Sequence, residues 1–192
     1  MSAIDALRSA TSSSHRRLEK RLDVKSRFSE IGAYRAHLEK MWGYCAELEG
    51  SLDAGSFGGA LPDYESRRKL PLLTRDLAFL GADPDSIASL PRCRITARPQ
   101  DPATAFGCTY VFEGATLGGR TLLPLVSTRL GLTALRGAAF LASYGDELQS
   151  MWNRFGSALD SWCCAAERQS SAACAAVDTF DALQIWLCGD PR

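Results

Sequence analysis

Apolar residues recur every three or four positions along most of the chain, and runs that alternate apolar with polar are scarce, so the pattern predicts an all-α fold. A first helix is placed at about residues 3–22, where Ile4, Leu7, Thr11, His15, Leu18 and Leu22 share one face; this puts His15 on the buried stripe. A second runs from about Glu30 to Leu52, with Tyr34, Leu38, Met41, Cys45, Leu48 and Leu52 inward, and stops at the Gly- and Ser-rich AGSFGGALP. A third follows Pro62, and Pro71 is expected to kink it or split it in two. Pro84, Pro91, Pro99 and Pro102 make residues 83–102 mostly loop, internal to one domain over 1–192. Helices four, five and six are placed at about 102–130, 133–162 and 165–188, and no internal repeat is visible.

Charge narrows the possible partners. With 22 basic and 22 acidic residues the formal charge is zero, so no global field favours nucleic acid or an anionic membrane, and any anion must be held by a local patch. The seven cysteines form no C-x-x-C pair and are odd in number, which points to reduced thiols and a cytoplasmic protein rather than a zinc cluster or a disulfide framework. The N-terminal MSAIDALRSATSSSHRRLEKR has no uninterrupted apolar stretch of the signal-peptide kind, and nowhere do 18 apolar residues run together, so no membrane association is expected.

Two places carry candidate chemistry. His15 has Glu19 one helical turn later, where a carboxylate can accept one ring N–H and fix the tautomer of a metal-ligating imidazole. The plain alternative is a core-edge histidine beside an unrelated surface glutamate. His37, the other histidine, sits beside the apolar stripe of helix two and reads as structural. The stretch YVFEGATLGGRTLL puts Gly114, Gly118 and Gly119 inside a predicted helix, each costing about 1 kcal/mol relative to alanine. Either another helix packs closely there, or a flat rigid ligand lies on the backbone. Joined to an inward histidine, the second reading becomes a ligand held between two helices, with haem as its occupant.

At this point the chain resembles the haem oxygenases, most closely the bacterial, biliverdin-producing branch associated with bacteriophytochromes. LRSATSSSHRRLE (7–19) is similar to that family's proximal-helix motif and YVFEGATLGGRTL (110–122) to its Gly-rich distal helix, with weaker similarity in YESRRKLPLLTRDL (64–77) and FLASYGDELQSMWNRF (140–155). The resemblance implies one all-helical domain holding haem b, as substrate and cofactor, between the first helix and a kinked distal helix. His15 matches the iron ligand, Glu19 its supporting partner, and Gly114, Gly118 and Gly119 the distal glycines. The implied reaction is O2-dependent opening of the ring at a meso carbon to biliverdin, Fe2+ and CO. A ferredoxin or reductase would supply electrons, and a bacteriophytochrome would receive the biliverdin.

This sequence departs from the family where many members carry a distal aspartate, here Ala115, so Thr116, Arg120 or ordered water is expected to take its place. Tyr144, Arg16 and Arg17 are the candidate partners of the haem propionates, Tyr110 and Phe112 are expected beside the haem or in the core, and Cys108 is read as a buried, inert thiol. A non-catalytic haem carrier of the same fold is the alternative function, motivated by Ala115. A thiamin-degrading or di-iron relative ranks lower, because two histidines are too few for its ligands.

Overall fold

The computed structural model describes residues 2–95 and 99–189. Ten α-helices occur among them: α1 (Ala3–Arg21), α2 (Val24–Arg27), α3 (Ile31–Gly50), α4 (Tyr64–Arg67), α5 (Leu70–Phe79), α6 (Pro84–Ala88), α7 (Pro102–Leu130), α8 (Ala139–Ala142), α9 (Leu148–Trp162) and α10 (Ala166–Cys188). No strand forms among the described residues; isolated bridges from Thr133 to Arg136 and Gly137 mark the turn after α7. One apolar core reaches from Ala3 to Leu187 and draws on every long helix.

Local chemistry explains most boundaries. α1 starts where the Ser2 hydroxyl accepts from the Asp5 N–H, and α7 where Asp101 and Thr104 form a reciprocal capping box with Pro102 in the first turn. α7 ends at Gly131 in the left-handed conformation (φ 68°), and it is continuous through its glycines and through Pro124. The third predicted helix is split into α4 and α5; Pro71 lies in the first turn of α5, where its missing N–H costs nothing. The loop at 83–102 contains one short helix, α6, with Pro84 in its first turn; of that loop, residues 96–98 lie outside the described segments.

The fifth predicted helix needs correction. Residues 133–162 form a turn, the single turn of α8, a 3-10 turn at Gly145–Glu147 and then α9. Gly137 (φ 81°), Ser143 (φ 44°) and Gly145 (φ 55°) hold backbone conformations that an α-helix cannot contain. The Asp76 carboxylate instead accepts from the N–H groups of Ala139 and Phe140, both at 2.8 Å, which fixes α8 against α5.

α10 is the spine, packed along both α7 and α1. A Cβ added at Gly107 would collide with the Ala172 carbonyl oxygen, so this glycine sets how closely α7 and α10 approach. α1 and α7 each lean on α10 and α9, and between them lies the main cavity.

Candidate functional site

The cavity measures about 870 Å³, with α1 on one side and the middle of α7 on the other. From α1 come Arg8, Thr11, His15, Arg16 and Glu19; from α7 come Tyr110, Phe112, Gly114, Ala115, Gly118 and Gly119. Most of the lining is apolar, supplied also by Met41, Leu122, Phe140, Leu141, Phe180 and Leu183.

His15 does not lie on the buried stripe. The buried residues of α1 are Ala3, Leu7, Thr11 and Ser14, whereas the His15 side chain is 56 % exposed. The reason is geometric: at this turn α1 faces the cavity rather than another helix. The ring packs at a tilt on Phe180, with centroids 5.7 Å apart, and its Nδ1 lies 3.4 Å from Oε2 of Glu19. That leaves Nε2 for a ligand, the arrangement that fixes the tautomer of a metal-bound imidazole.

The three glycines do different things. Cβ atoms added at Gly114 or Gly118 would meet nothing within 4 Å, although both residues line the cavity; one added at Gly119 would lie 2.9 Å from the Leu141 carbonyl oxygen. Gly119 is therefore the close-packing glycine, seated against α8, while Gly114 and Gly118 keep cavity space clear. A helix prefers alanine over glycine by about 1 kcal/mol, so the fold alone gives no reason for glycine at 114 and 118. Gly118→Ala is accordingly expected to raise Tm by about 2–4 °C, and Gly119→Ala to lower it, in thermal melts followed by circular dichroism. A Gly118→Ala variant that melts lower would show that this position is packed.

A model of the family described as "Heme oxygenase" matches residues 1–187. The chain belongs to the haem oxygenase family. It is 28% identical over 129 residues to a haem oxygenase of Xanthomonas campestris pv. campestris (strain 8004), across 67% of this chain and 73% of that protein. Its fold matches the haem oxygenase of Neisseria meningitidis, solved with NO and CO bound, at a TM-score of 0.81 and 21% identity over 97% of this chain and 90% of that one. It also matches the haem oxygenase of Leptospira interrogans at a TM-score of 0.78 and 20% identity over 98% and 99% of the two chains.

Set in the haem oxygenase fold, several residues stand elsewhere than the sequence predicts. Tyr144 does not line the cavity: its phenol donates to Oε1 of Glu113 at 2.6 Å. Arg120 is exposed and away from the cavity, because it falls on the opposite side of α7 from Gly114 and Gly118. Arg17 is engaged by Ser14 and Asp181, at 2.8 and 2.9 Å, and Arg16 alone of this pair reaches the cavity rim. Tyr110 lines the cavity and packs on Trp152; Phe112 lines it and packs on Tyr44. Cys108 is buried beside Thr179, and burial raises its thiol pKa.

Three buried polar groups in or behind the cavity wall were not foreseen. His37 is buried and lines the cavity, its Nδ1 unpartnered; burial, then Arg27 and Lys40, lowers its pKa to about 3, so the ring is neutral. Glu113 is buried within α7, its Oε2 2.9 Å from Arg67 Nη1, and burial pushes its carboxyl up against the pull of Lys69 and Arg67. Lys69 is 1 % exposed and lines the cavity. Of these, Glu113 left a sequence signal: it is the only charged residue between Ala103 and Gly119. Among the described residues no three His, Cys, Asp or Glu side chains converge as a metal cluster, so the di-iron reading has no ligand set there. No helix among those residues is long and apolar enough to cross a membrane.

Proposed function

We propose that this protein binds haem between α1 and α7 and opens it oxidatively to biliverdin, releasing iron and carbon monoxide. One observation carries the reading: an imidazole with its carboxylate partner and a wall of cavity-facing glycines stand across a single apolar cavity of about 870 Å³. The residues present suit the group. A flat, largely apolar macrocycle with an axial position and acidic edge groups calls for one nitrogen donor, a side-chain-free opposite face and cations at the rim.

When bound, haem supplies both the iron that activates dioxygen and the carbon skeleton that is oxidised. His15 holds the iron from the α1 side, and Glu19 orients its ring. Gly114 and Gly118 leave room for dioxygen on the α7 side, where any larger residue would fill that space. Arg16, at the rim, pairs with a propionate; Arg8, also at the rim, is held by Asp5 at 3.0 Å and would exchange that partner to reach one. Phe112, Phe140, Leu141 and Leu183 exclude water and strengthen each of these interactions. A ferredoxin-type donor or its reductase supplies electrons, and a bacteriophytochrome is the proposed recipient of the biliverdin.

Ala115 favours a second reading, in which the protein carries haem without degrading it, because no carboxylate stands at the distal position. The test is to load the protein with hemin and add ascorbate, or ferredoxin with its reductase, in air. Decay of the haem absorption with rise of biliverdin supports the enzyme. A persistent haem spectrum supports the carrier, and failure to bind hemin overturns both.

A further inference from the structure

The α7 side of the cavity has no acid at residue 115, yet it holds a buried cation. The Lys69 side chain enters from the junction of α4 and α5, and this junction is held in place by Glu49 of α3, whose carboxylate accepts the N–H groups of Lys69 (2.5 Å) and Leu70 (3.2 Å). Nζ donates to Ser143 Oγ at 3.2 Å and lies 3.6 Å from the centre of the Tyr144 ring. Among the described residues Lys69 forms no ion pair; the nearby Glu113 carboxylate is occupied by Arg67 and by the Tyr144 hydroxyl. An ammonium has three N–H donors, and Ser143 and the Tyr144 face account for two of them. Lys69 lines the cavity, and its partners Ser143 and Tyr144 follow α8, which packs on α7, and Tyr144 is bonded to Glu113 of α7; this places the lysine on the glycine side rather than beside His15. Ser143 itself holds a positive φ of 44°, a strained conformation for a non-glycine residue, and its hydroxyl accepts from the lysine.

Glu113 and Glu49 act on this ammonium only from beyond ion-pair distance, and a buried cation without a carboxylate in direct contact is costly unless something else compensates it. We propose that Lys69 donates its remaining N–H to a negatively charged ligand on the glycine side of the cavity, where it does the work of the polar group missing at Ala115. The inference rests on haem binding as proposed above. In that setting Lys69 stabilises the negative charge that develops on this face as dioxygen is reduced.

The groups that face Lys69 are Glu113 of α7, Cys45 and Glu49 of α3, Arg67 of α4 and Tyr144. Burial lowers the Lys69 pKa to about 8, with Glu113 opposing, so the charged donor is present at neutral pH and lost above it. Fluoride binding to the ferric haem complex reads this donor without turnover, since fluoride is held by hydrogen bonding. Wild type is expected to bind fluoride about 10-fold or more tightly than Lys69→Met at pH 7, and to lose that advantage between pH 7.5 and 9 as the ammonium deprotonates. Lys69→Arg is expected to restore the affinity and to keep its advantage over Lys69→Met across this range. Glu113→Gln, which keeps the lysine but removes the carboxylate that holds its pKa up, is expected to move the loss of fluoride affinity to lower pH, whereas a lysine that does not donate to the ligand would leave the fluoride profile unmoved. Equal fluoride affinity in wild type and Lys69→Met, with hemin bound and Tm unchanged, would overturn the inference. Failure of wild type to bind hemin overturns the haem reading instead.

Discussion

His15→Ala is expected to remove the histidine-ligated haem spectrum and to reduce turnover by more than the loss of any supporting residue. His15 is the imidazole that α1 presents to the cavity, with Nδ1 turned toward Glu19. Partners of a metal-bound histidine typically contribute 10–100-fold in affinity or activity. Glu19 is two-thirds exposed, so Glu19→Ala is expected near the lower end, about 10-fold, with the ligand itself above that range. Hemin titration followed by absorption spectroscopy measures both. A histidine-type spectrum that survives in His15→Ala would assign the iron to His37, the other imidazole lining the cavity.

Arg67→Met is expected to damage the fold more than the loss of any exposed charge. The Arg67 side chain is 1 % exposed; it bonds Asp63 through Nε and Nη2 and Glu113 through Nη1, at 2.8–2.9 Å, and also reaches the Met151 carbonyl oxygen. It thereby joins α4, α7 and α9 at one point. Removing one member of a buried ion pair leaves the other charge uncompensated, at about 3–5 kcal/mol. For a chain of this size that is a fall in Tm of roughly 10 °C. Replacing both partners, Arg67→Met with Glu113→Leu, is expected to recover part of the loss, because two apolar groups leave no charge behind. Thermal melts of the two single variants and the double variant measure the coupling; a single variant that melts with wild type would show that the pair is not under tension from burial.

The helical frame was legible because it is written locally. Asp101, Pro102 and Gly131 mark the ends of α7 in the sequence itself, and the three-and-four spacing of α3 survives intact in its buried residues. The histidine and the glycines were legible as candidates because each breaks a local rule: a polar ring near an apolar stripe, and glycines within a helix. What the sequence concealed is long-range. Whether His15 faces a neighbouring helix or a cavity depends on where α10 holds α1, and periodicity carries no such information. Tyr144 looked available for a ligand because its partner, Glu113, is 31 residues away. Nothing in RRKL marks Lys69 out, since burial of an ammonium depends on α3, α7 and the α8 turn together.

The contrast between Gly107 and Gly118 bears on how sequences of this kind can diverge. At 107 the Ala172 carbonyl stands where any β-carbon would go, so the fold itself forbids every other amino acid. At 118 the polypeptide would tolerate or even prefer a substitution, and only a tenant of the cavity would object. A library of variants sorted once for expression and once for haem capture should therefore lose position 107 in the first sort and position 118 only in the second.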